Sequence, residues 1–206
     1  MSQNDNLIFR RAETTEDFQK IFDLQNNNLV TSLSESDLKD GFLSASFTLD
    51  ELQSMNDSIC IMTCYSGMDL CGYQVATTLE FNKSSPLLTA MIQQFSQITY
   101  KGKNISEYDC FIAGPTCIDK KYRGQGIFPQ LIAAVFYFIN HMQNPPRLRI
   151  SFASESNLRY LNALNKVGCE IIGEFEFNAN KFMIICLDLL PFHSKIATKK
   201  LSGVAE

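Results

Sequence analysis

The sequence has 206 residues, of which 45% are hydrophobic and 19% are charged, and its formal net charge is −4. A chain of this length and composition can bury a full core in one domain, and it is too apolar to stay disordered. The acidic balance argues against a nucleic-acid-binding protein, which needs a basic surface. The sequence has no apolar stretch of signal-peptide or membrane-span length, so we expect a cytoplasmic protein without contact to a membrane.

The seven cysteines are expected to be free, reduced thiols. Their number is odd, no two of them have the Cys-x-x-Cys spacing, and most lie within apolar runs. Only two histidines are present, so a zinc site would have to depend on scattered cysteines. We therefore expect neither disulfides nor a metal site.

The chain opens with a predicted strand at 7–10 and a helix that begins at Thr14 or Thr15. Acidic residues follow in the first turn, where the helix dipole favours them. The helical pattern breaks after residue 25. Residues 34–41 are compatible with either a short helix or a loop.

A second helix is predicted to begin at Thr48. Glu51 follows three residues later, which is the spacing of a capping box. Two apolar runs at 58–65 and 71–79 are joined by a turn that contains glycine, and this pattern predicts a β-hairpin.

Residues 82–106 predict a further helix, which begins at Ser84-Ser85-Pro86. The positions expected to form its apolar face are Leu87, Leu88, Met91, Ile92 and Phe95.

The most informative stretch runs from Cys110 to Met142. Residues 111–118 are apolar and small, as in a buried strand, and from Ile127 onwards apolar residues recur with helical spacing. Between the strand and the helix lies a basic turn with two glycines: Lys120, Lys121, Tyr122, Arg123, Gly124, Gln125 and Gly126.

A strand that leads through a glycine turn into a helix forms an anion site. The first amides of a helix have no internal partner and carry partial positive charge, and glycine lets the backbone approach a phosphate closely. No Gly-Lys-Ser/Thr follows the turn, which excludes a P-loop. The third glycine of a Rossmann motif would fall at Pro129, which argues against that motif.

The C-terminal part predicts a strand at 147–152, a helix at 158–167 that Gly168 ends, and a final hairpin. The two hairpin strands are expected at 169–177 and 182–190. Residues 191–206 are expected to be a polar tail.

The turn Lys121-Tyr122-Arg123-Gly124-Gln125-Gly126 resembles the acetyl-CoA loop of the GNAT acyltransferases, Gln/Arg-x-x-Gly-x-Gly/Ala, with lysine in the first place. The resemblance implies a single α/β domain of the GNAT fold with a core at about 7–190. Its mixed central sheet would have about six to seven strands, splayed between the fourth and the fifth, with helices on its faces. Residues 82–106 would then be an insertion, which covers the acceptor entrance, forms an oligomer contact such as a homodimer, or only packs on the surface.

The resemblance implies acetyl-CoA as co-substrate and no metal. A backbone N–H near Thr116 to Ile118 would polarise the thioester carbonyl, and a bulge at Gly114-Pro115 would open the slot. The residues expected to contact the cofactor are Thr116, Cys117, Ile118, Lys121, Arg123, Gly124, Gln125, Gly126, Ile127, Phe128 and Asn157.

A second family motif matches in part. Asn157 and Gly168 match it, and Asn157 would bond the pantetheine arm or phosphate end of CoA, serve as a plain helix cap, or do both. Leu164 stands where the family has a tyrosine that protonates the departing thiolate. Tyr160, one turn earlier, is a candidate for that role, and packing against the pantetheine arm is the alternative. A thiol with a pKa near 8.5 can also leave without an acid.

The acceptor amine has to lose a proton before it attacks, because a free alkylamine has a pKa of about 10. A carboxylate is the usual base in this family, and Glu80 is our first candidate. Asp109 and Glu155 are the others, and for each of the three a solvated surface position is the alternative.

The wall of the acceptor pocket is expected to come from the segment between the first and second strands and from the second strand. The candidates, each with a plain core role as the alternative, are Phe42, Leu43, Phe47 and Tyr65.

The predicted function is N-acetyl transfer from acetyl-CoA to a primary amine of a small molecule, a lysine side chain or a protein N-terminus. The acidic balance slightly favours cationic acceptors such as a polyamine, an aminoglycoside or a lysine. Two alternatives stay open. The first is a sensor that binds CoA or acyl-CoA without turnover, and the second is a scaffold in which the loop is only a helix start.

Overall fold

The computed structural model of the protein describes residues 7–34 and 42–191. Within these ranges, seven strands form the central sheet: β1 (Leu7–Arg11), β2 (Cys60–Ser66), β3 (Asp69–Thr78), β4 (Cys110–Ile118), β5 (Leu148–Ser154), β6 (Glu170–Phe177) and β7 (Asn180–Asp188). The same described ranges contain five α-helices, which flank the sheet: α1 (Thr15–Asn26), α2 (Leu49–Ser58), α3 (Pro86–Gln93), α4 (Ile127–Asn140) and α5 (Leu158–Lys166). The predicted segment at 34–41 and the predicted tail at 191–206 fall almost wholly outside the described residues.

The strands are arranged in the order β1-β2-β3-β4-β5-β7-β6. All neighbours are antiparallel except β4 and β5, which run parallel and are joined through α4. A parallel pair needs such a crossover connection, and the long α4 provides it. The predicted mixed sheet with helices on its faces is confirmed.

Strands β4 and β5 separate soon after they meet. Their pairing covers only Cys110 to Ile112 on β4. On the other side of β4, Thr116 pairs with Gln74 while Ala113 already pairs with Ala76, so one extra residue bulges out. The bulge falls at Gly114-Pro115, as predicted, and the sheet is splayed at the predicted place.

The two faces of the sheet have separate cores. Helices α4 and α5 cover one face, where Leu131 and Leu164 pack against strand residues such as Phe111. The other face is covered by α1 and α2 over β2 and β3. Over β5 and β7 it is covered by the segment between β3 and β4. The side chains of a strand point alternately to these two layers.

The segment between β3 and β4 is built around α3, as its apolar spacing predicts. Met91 and Phe95 are buried against the sheet. A two-residue hairpin follows, in which Thr99–Tyr100 pairs with Lys103–Asn104. Lys101 at its turn forms a 2.8 Å ion pair with Asp188 of β7. The segment is therefore attached to the sheet by packing and by charge.

The predicted helix starts are confirmed in detail. Thr14 caps α1, and its partner in the capping box is Asp17. Thr48 and Glu51 form the expected capping box of α2. These reciprocal bonds satisfy amide groups that the first helical turn leaves without partners.

All seven cysteines are free, and all but Cys110 are buried. Burial raises the pKa of the Cys117 thiol to about 12, so this sulfur stays protonated. In the described parts of the chain, no helix combines the length and apolarity needed to cross a membrane.

Candidate functional site

The glycine turn after β4 presents the bare N-terminus of α4. Gly126 is the N-cap residue, with φ +77°, and no side chain caps the helix. Gly124 has φ +78°. Both dihedrals lie in the left-handed region, which glycine adopts without strain. The first amides of this 14-residue helix are thus left for an external acceptor, and the helix dipole favours an anion there.

The basic side chains of the turn are held by protein partners. Lys121 Nζ forms an ion pair with Asp69 Oδ2 at 2.9 Å. Arg123 donates from Nε to the carbonyl oxygen of Ile118 at 2.9 Å and from Nη2 to Asn28 Oδ1 at 2.7 Å. These bonds help to give the loop its shape.

A cavity of about 1050 Å³ begins at this loop and continues through the gap between β4 and β5. It is lined by all of the predicted cofactor residues except Lys121 and Gln125. The side chain of Gln125 instead donates to the carbonyl oxygen of Lys121. The cavity extends to the opposite face of the sheet, where residues of the segment at 42–47 and of α3 line it.

The slot between the strands offers unpaired polar groups. Beyond Ile112, the edge of β4 that faces β5 is not used in strand pairing. Thr116 Oγ1 is buried in the lining without a hydrogen-bond partner. Asn157 caps α5 by accepting from the Tyr160 N–H at 3.3 Å. Because this bond uses only Oδ1, the amide NH₂ of Asn157 is left for a ligand.

Tyr160 and Leu164 differ sharply in position. The Tyr160 ring lines the cavity and packs edge-to-face on Phe128, with 5.9 Å between ring centroids. Leu164 is 1% exposed and belongs to the core beneath α5. A side chain at 164 thus faces the core, whereas Tyr160 faces the slot.

The three carboxylates suggested by the sequence lie outside the cavity lining. Glu80 forms an ion pair with Lys83 in solvent. Asp109 precedes β4, at the end of the strand remote from the glycine loop, and Glu155 is exposed after β5. The suggested roles of these residues stay predictions, without support from their positions.

Glu51 is the one carboxylate among the described lining residues. It lies on α2 with Ser54 and Met55, which line the same cavity. Glu51 was not among the residues predicted from the sequence, because its capping box with Thr48 already explained its presence. Its position on the helix after the segment expected to form the acceptor wall is the signal that could have identified it. Among the described residues, no cluster of three or more histidine, cysteine or acidic side chains is suited to hold a metal ion.

Three of the four suggested wall residues, Phe42, Leu43 and Phe47, line the cavity. Tyr65 does not line it. Its hydroxyl donates to Asp17 Oδ1 at 2.6 Å inside the layer under α1, so the core alternative holds for this residue.

No family model matches the chain, and no curated protein matches it by sequence. Solved structures do match. The ribosomal-protein-S18-alanine N-acetyltransferase of Escherichia coli is 8% identical with a TM-score of 0.57, and the match covers 88% of this chain and 93% of that one. A protein of Desulfovibrio desulfuricans described as a GNAT-family acetyltransferase is 11% identical with a TM-score of 0.59 (89% and 99%). The chain has the GNAT fold.

A third match is a structure that contains the cofactor of its protein. The structure of yncA from Salmonella typhimurium contains acetyl-CoA; it is 8% identical with a TM-score of 0.57, over 89% of this chain and 94% of that one. At such identities the likeness establishes the GNAT fold alone. What the site does has to be argued from its own residues.

Proposed function

We propose that the protein is an N-acetyltransferase that transfers an acetyl group from acetyl-CoA to a primary amine. The observation that carries this proposal is the uncapped N-terminus of α4 at the mouth of the slot between β4 and β5. Coenzyme A combines a pyrophosphate with a long arm of amide groups. Helix amides suit the pyrophosphate, and a free strand edge suits the arm.

The residues of the slot fit this ligand. The backbone at Gly124 to Phe128 would hold the pyrophosphate, and the free edge of β4 near Thr116 would bond the arm. The orphaned Oγ1 of Thr116 and the amide of Asn157 are further polar groups that such an arm could satisfy. Acetyl-CoA supplies the thioester when it is bound.

The acceptor ammonium first loses one proton, and the neutral amine then forms a C–N bond to the acetyl carbon. The C–S bond breaks, the sulfur leaves as a thiolate, and the nitrogen loses its second proton to water. We assign the uptake of the first proton to Glu51, directly or through water, because it is the described carboxylate that lines the cavity. Backbone amides of β4 would stabilise the oxyanion. Glu80 remains the alternative from sequence.

A CoA sensor without turnover is the second candidate. The observation that favours it is the burial of Leu164, which leaves the place of the usual tyrosine without an acid. Tyr160 is the described tyrosine nearest to that place along α5, and its ring packs against Phe128.

Thermal unfolding with and without acetyl-CoA tests the binding step. At 100 times its Kd, a ligand adds about 2.7 kcal/mol to stability, which corresponds to about 5 to 10 °C in Tm for a domain of this size. Gly126→Glu should abolish the rise, because it places a carboxylate at the anion site. Gly102→Glu is the matched control, since Gly102 also has a positive φ and open space around it but lies in the remote hairpin.

Release of free CoA thiol in the presence of amines separates the enzyme from the sensor. An enzyme releases thiol in proportion to acetylated amine. A sensor shows the rise in Tm with no release for any amine. Absence of a Tm rise at saturating acetyl-CoA would refute both.

A further inference from the structure

We propose that the acceptor is an amine with an apolar body at least as large as an aromatic ring, and that helix α3 forms part of the site for that body. This inference rests on the proposed acetyl transfer and specifies its substrate class. It is carried by the lining of the cavity on the face of the sheet opposite α4 and α5.

The part of the cavity beyond the slot is here called the acceptor arm. Its lining comes from the segment at 42–47, from α2, from the start of the insertion and from the far face of β5 and β7. Helices α4 and α5 lie on the other face of the sheet, so a thioester held by the α4 loop would reach the slot from that face. The amine would then reach the thioester from the opposite face, through the acceptor arm.

The acceptor arm is strongly apolar. Phe42, Phe47 and Phe81 contribute partly exposed rings, and Leu87 and Leu88 of α3 face the same space. At its floor, Phe152 and Phe182 pack edge-to-face with 5.7 Å between their centroids. Partly exposed aromatic side chains that converge on one cavity favour an apolar or aromatic ligand.

The walls are held in place before any ligand binds. The fully buried side chain of Gln25 donates to the carbonyl oxygen of Phe47 and accepts from the N–H of the same residue. Asn82, also buried, donates to Thr77 Oγ1 at 2.8 Å and fixes the start of the insertion. A preformed apolar wall costs little ordering entropy on binding, so its area contributes directly to affinity.

The charges of the lining restrict the acceptor further. Glu51 is the one acidic side chain that the described lining contains, whereas the basic ones, Arg123, Arg159 and Lys166, belong to the loop and α5. Glu51 is therefore the acidic side chain of the described lining that can pair with the ammonium of an acceptor. A polyamine or an aminoglycoside would bring several ammonium groups into a space with apolar walls, and each of them would lose hydration there, which is costly. The net charge of the chain slightly favours polycationic acceptors, but the apolar lining of the acceptor arm argues against them.

The test uses the full chain, acetyl-CoA, and a panel of 2-phenylethylamine, hexylamine, spermidine, an aminoglycoside and a lysine-containing peptide. We expect the KM for 2-phenylethylamine to be at least tenfold below that for spermidine. Leu88→Gln should raise that KM about tenfold and leave the KM for acetyl-CoA unchanged. Ile92→Gln on the same helix is the matched control, since Ile92 is similarly half-buried but does not line the cavity.

A binding readout keeps the test independent of turnover. With unacylated CoA bound, 2-phenylethylamine should raise the Tm further, and the increase should be lost in Leu88→Gln. Preference for spermidine, the aminoglycoside or the peptide would overturn the inference, as would a preference for longer acyl-CoA chains that Leu88→Gln removes. Failure of apolar amines both to react and to stabilise the CoA-bound protein would also overturn it. If acetyl-CoA itself gave no Tm rise, the proposed function would fail instead.

Discussion

Arg123 Nη2 donates to Asn28 Oδ1 at 2.7 Å, which ties the glycine loop to the end of α1. The same asparagine donates from Nδ2 to the carbonyl oxygen of Leu24 at 2.9 Å. The backbone carbonyl oxygen of Asn28 accepts from the Leu43 N–H at 2.8 Å. One buried residue thus connects the loop expected to hold the pyrophosphate with the segment that lines the acceptor arm.

Asn28→Ala should therefore affect both ends of the cavity. Loss of a buried hydrogen-bond partner costs about 1 to 3 kcal/mol, and we expect destabilisation in this range by urea unfolding. The KM for acetyl-CoA should rise as the loop loosens. Asn27→Ala alters the exposed neighbour and should leave both quantities unchanged. An Asn28→Ala protein with normal stability and normal KM would show that the bond does not shape the loop.

Glu51→Gln separates the chemistry of this residue from its capping role. Glutamine can keep the capping box with Thr48, so stability should change by less than about 0.5 kcal/mol. Turnover should fall about a hundredfold, because the proposed proton acceptor is lost. The rise in Tm with acetyl-CoA should persist.

Glu80→Gln is the partner experiment for Glu51→Gln, since Glu80 is the candidate that the sequence suggested first. Its carboxylate is exposed and paired with Lys83, so we expect kcat to stay near that of the unaltered protein. The reverse pattern, with turnover lost in Glu80→Gln and kept in Glu51→Gln, would return the role to Glu80.

Two substitutions at Tyr160 test whether its hydroxyl or its ring matters. Tyr160→Phe keeps the edge-to-face contact with Phe128, so the KM for acetyl-CoA should not change. We expect kcat to fall less than tenfold, because a thiolate can leave without an enzymatic acid. Tyr160→Ala should raise the KM through lost packing. A drop of a hundredfold or more in kcat of Tyr160→Phe at constant KM would instead identify the hydroxyl as the general acid.

We expect the attachment of the segment between β3 and β4 to the sheet to weaken in acid, because it depends on the charge of Asp188. Burial raises the pKa of this carboxyl, but hydrogen bonds from Arg147 and Lys101 outweigh it and bring the pKa down from the usual 3.8 to about 2. A lowered pKa in the folded state stabilises the protein above pH 4, and this contribution is lost as pH falls from about 4 to 2. Both partners are about half exposed, so we expect about 1 kcal/mol after screening by water.

Urea unfolding at pH 6, 4 and 3 measures this effect. Asp188→Asn should be less stable at pH 6, and its difference from the unaltered chain should shrink towards pH 3. The exposed Asp57→Asn serves as the control and should follow the unaltered protein. A difference that stays constant with pH would mean that Asp188 acts through packing and not through its charge.

Much of the fold could be predicted because its signals are local. The capping box of Thr48 and Glu51, the glycine turn after β4, and the bulge at Gly114-Pro115 each depend on a few neighbouring residues. Helical spacing also identified α3 and its buried Met91. Hydrogen bonding and backbone dihedrals within a short stretch decide such features, so the order of residues suffices to find them.

The direction of individual side chains could not be predicted in the same way. Lys121 and Arg123 are both expected to contact the cofactor, and the sequence does not show that the first also bonds Asp69 and the second Asn28. Their partners lie 52 and 95 residues away along the chain. The burial of Leu164 in the core likewise depends on tertiary packing and not on its neighbours in the sequence.

The sequence by itself determined the GNAT-like loop and the prediction of an anion site there, because bare amides and glycine dihedrals are properties of a continuous segment. Only the tertiary structure decided that Glu51, the phenylalanines and α3 surround one space. Those residues come from five separate segments, and their convergence depends on how two layers pack on a splayed sheet. Long-range packing of this kind leaves no local pattern, and for that reason the proposed acceptor class emerged only from the folded chain.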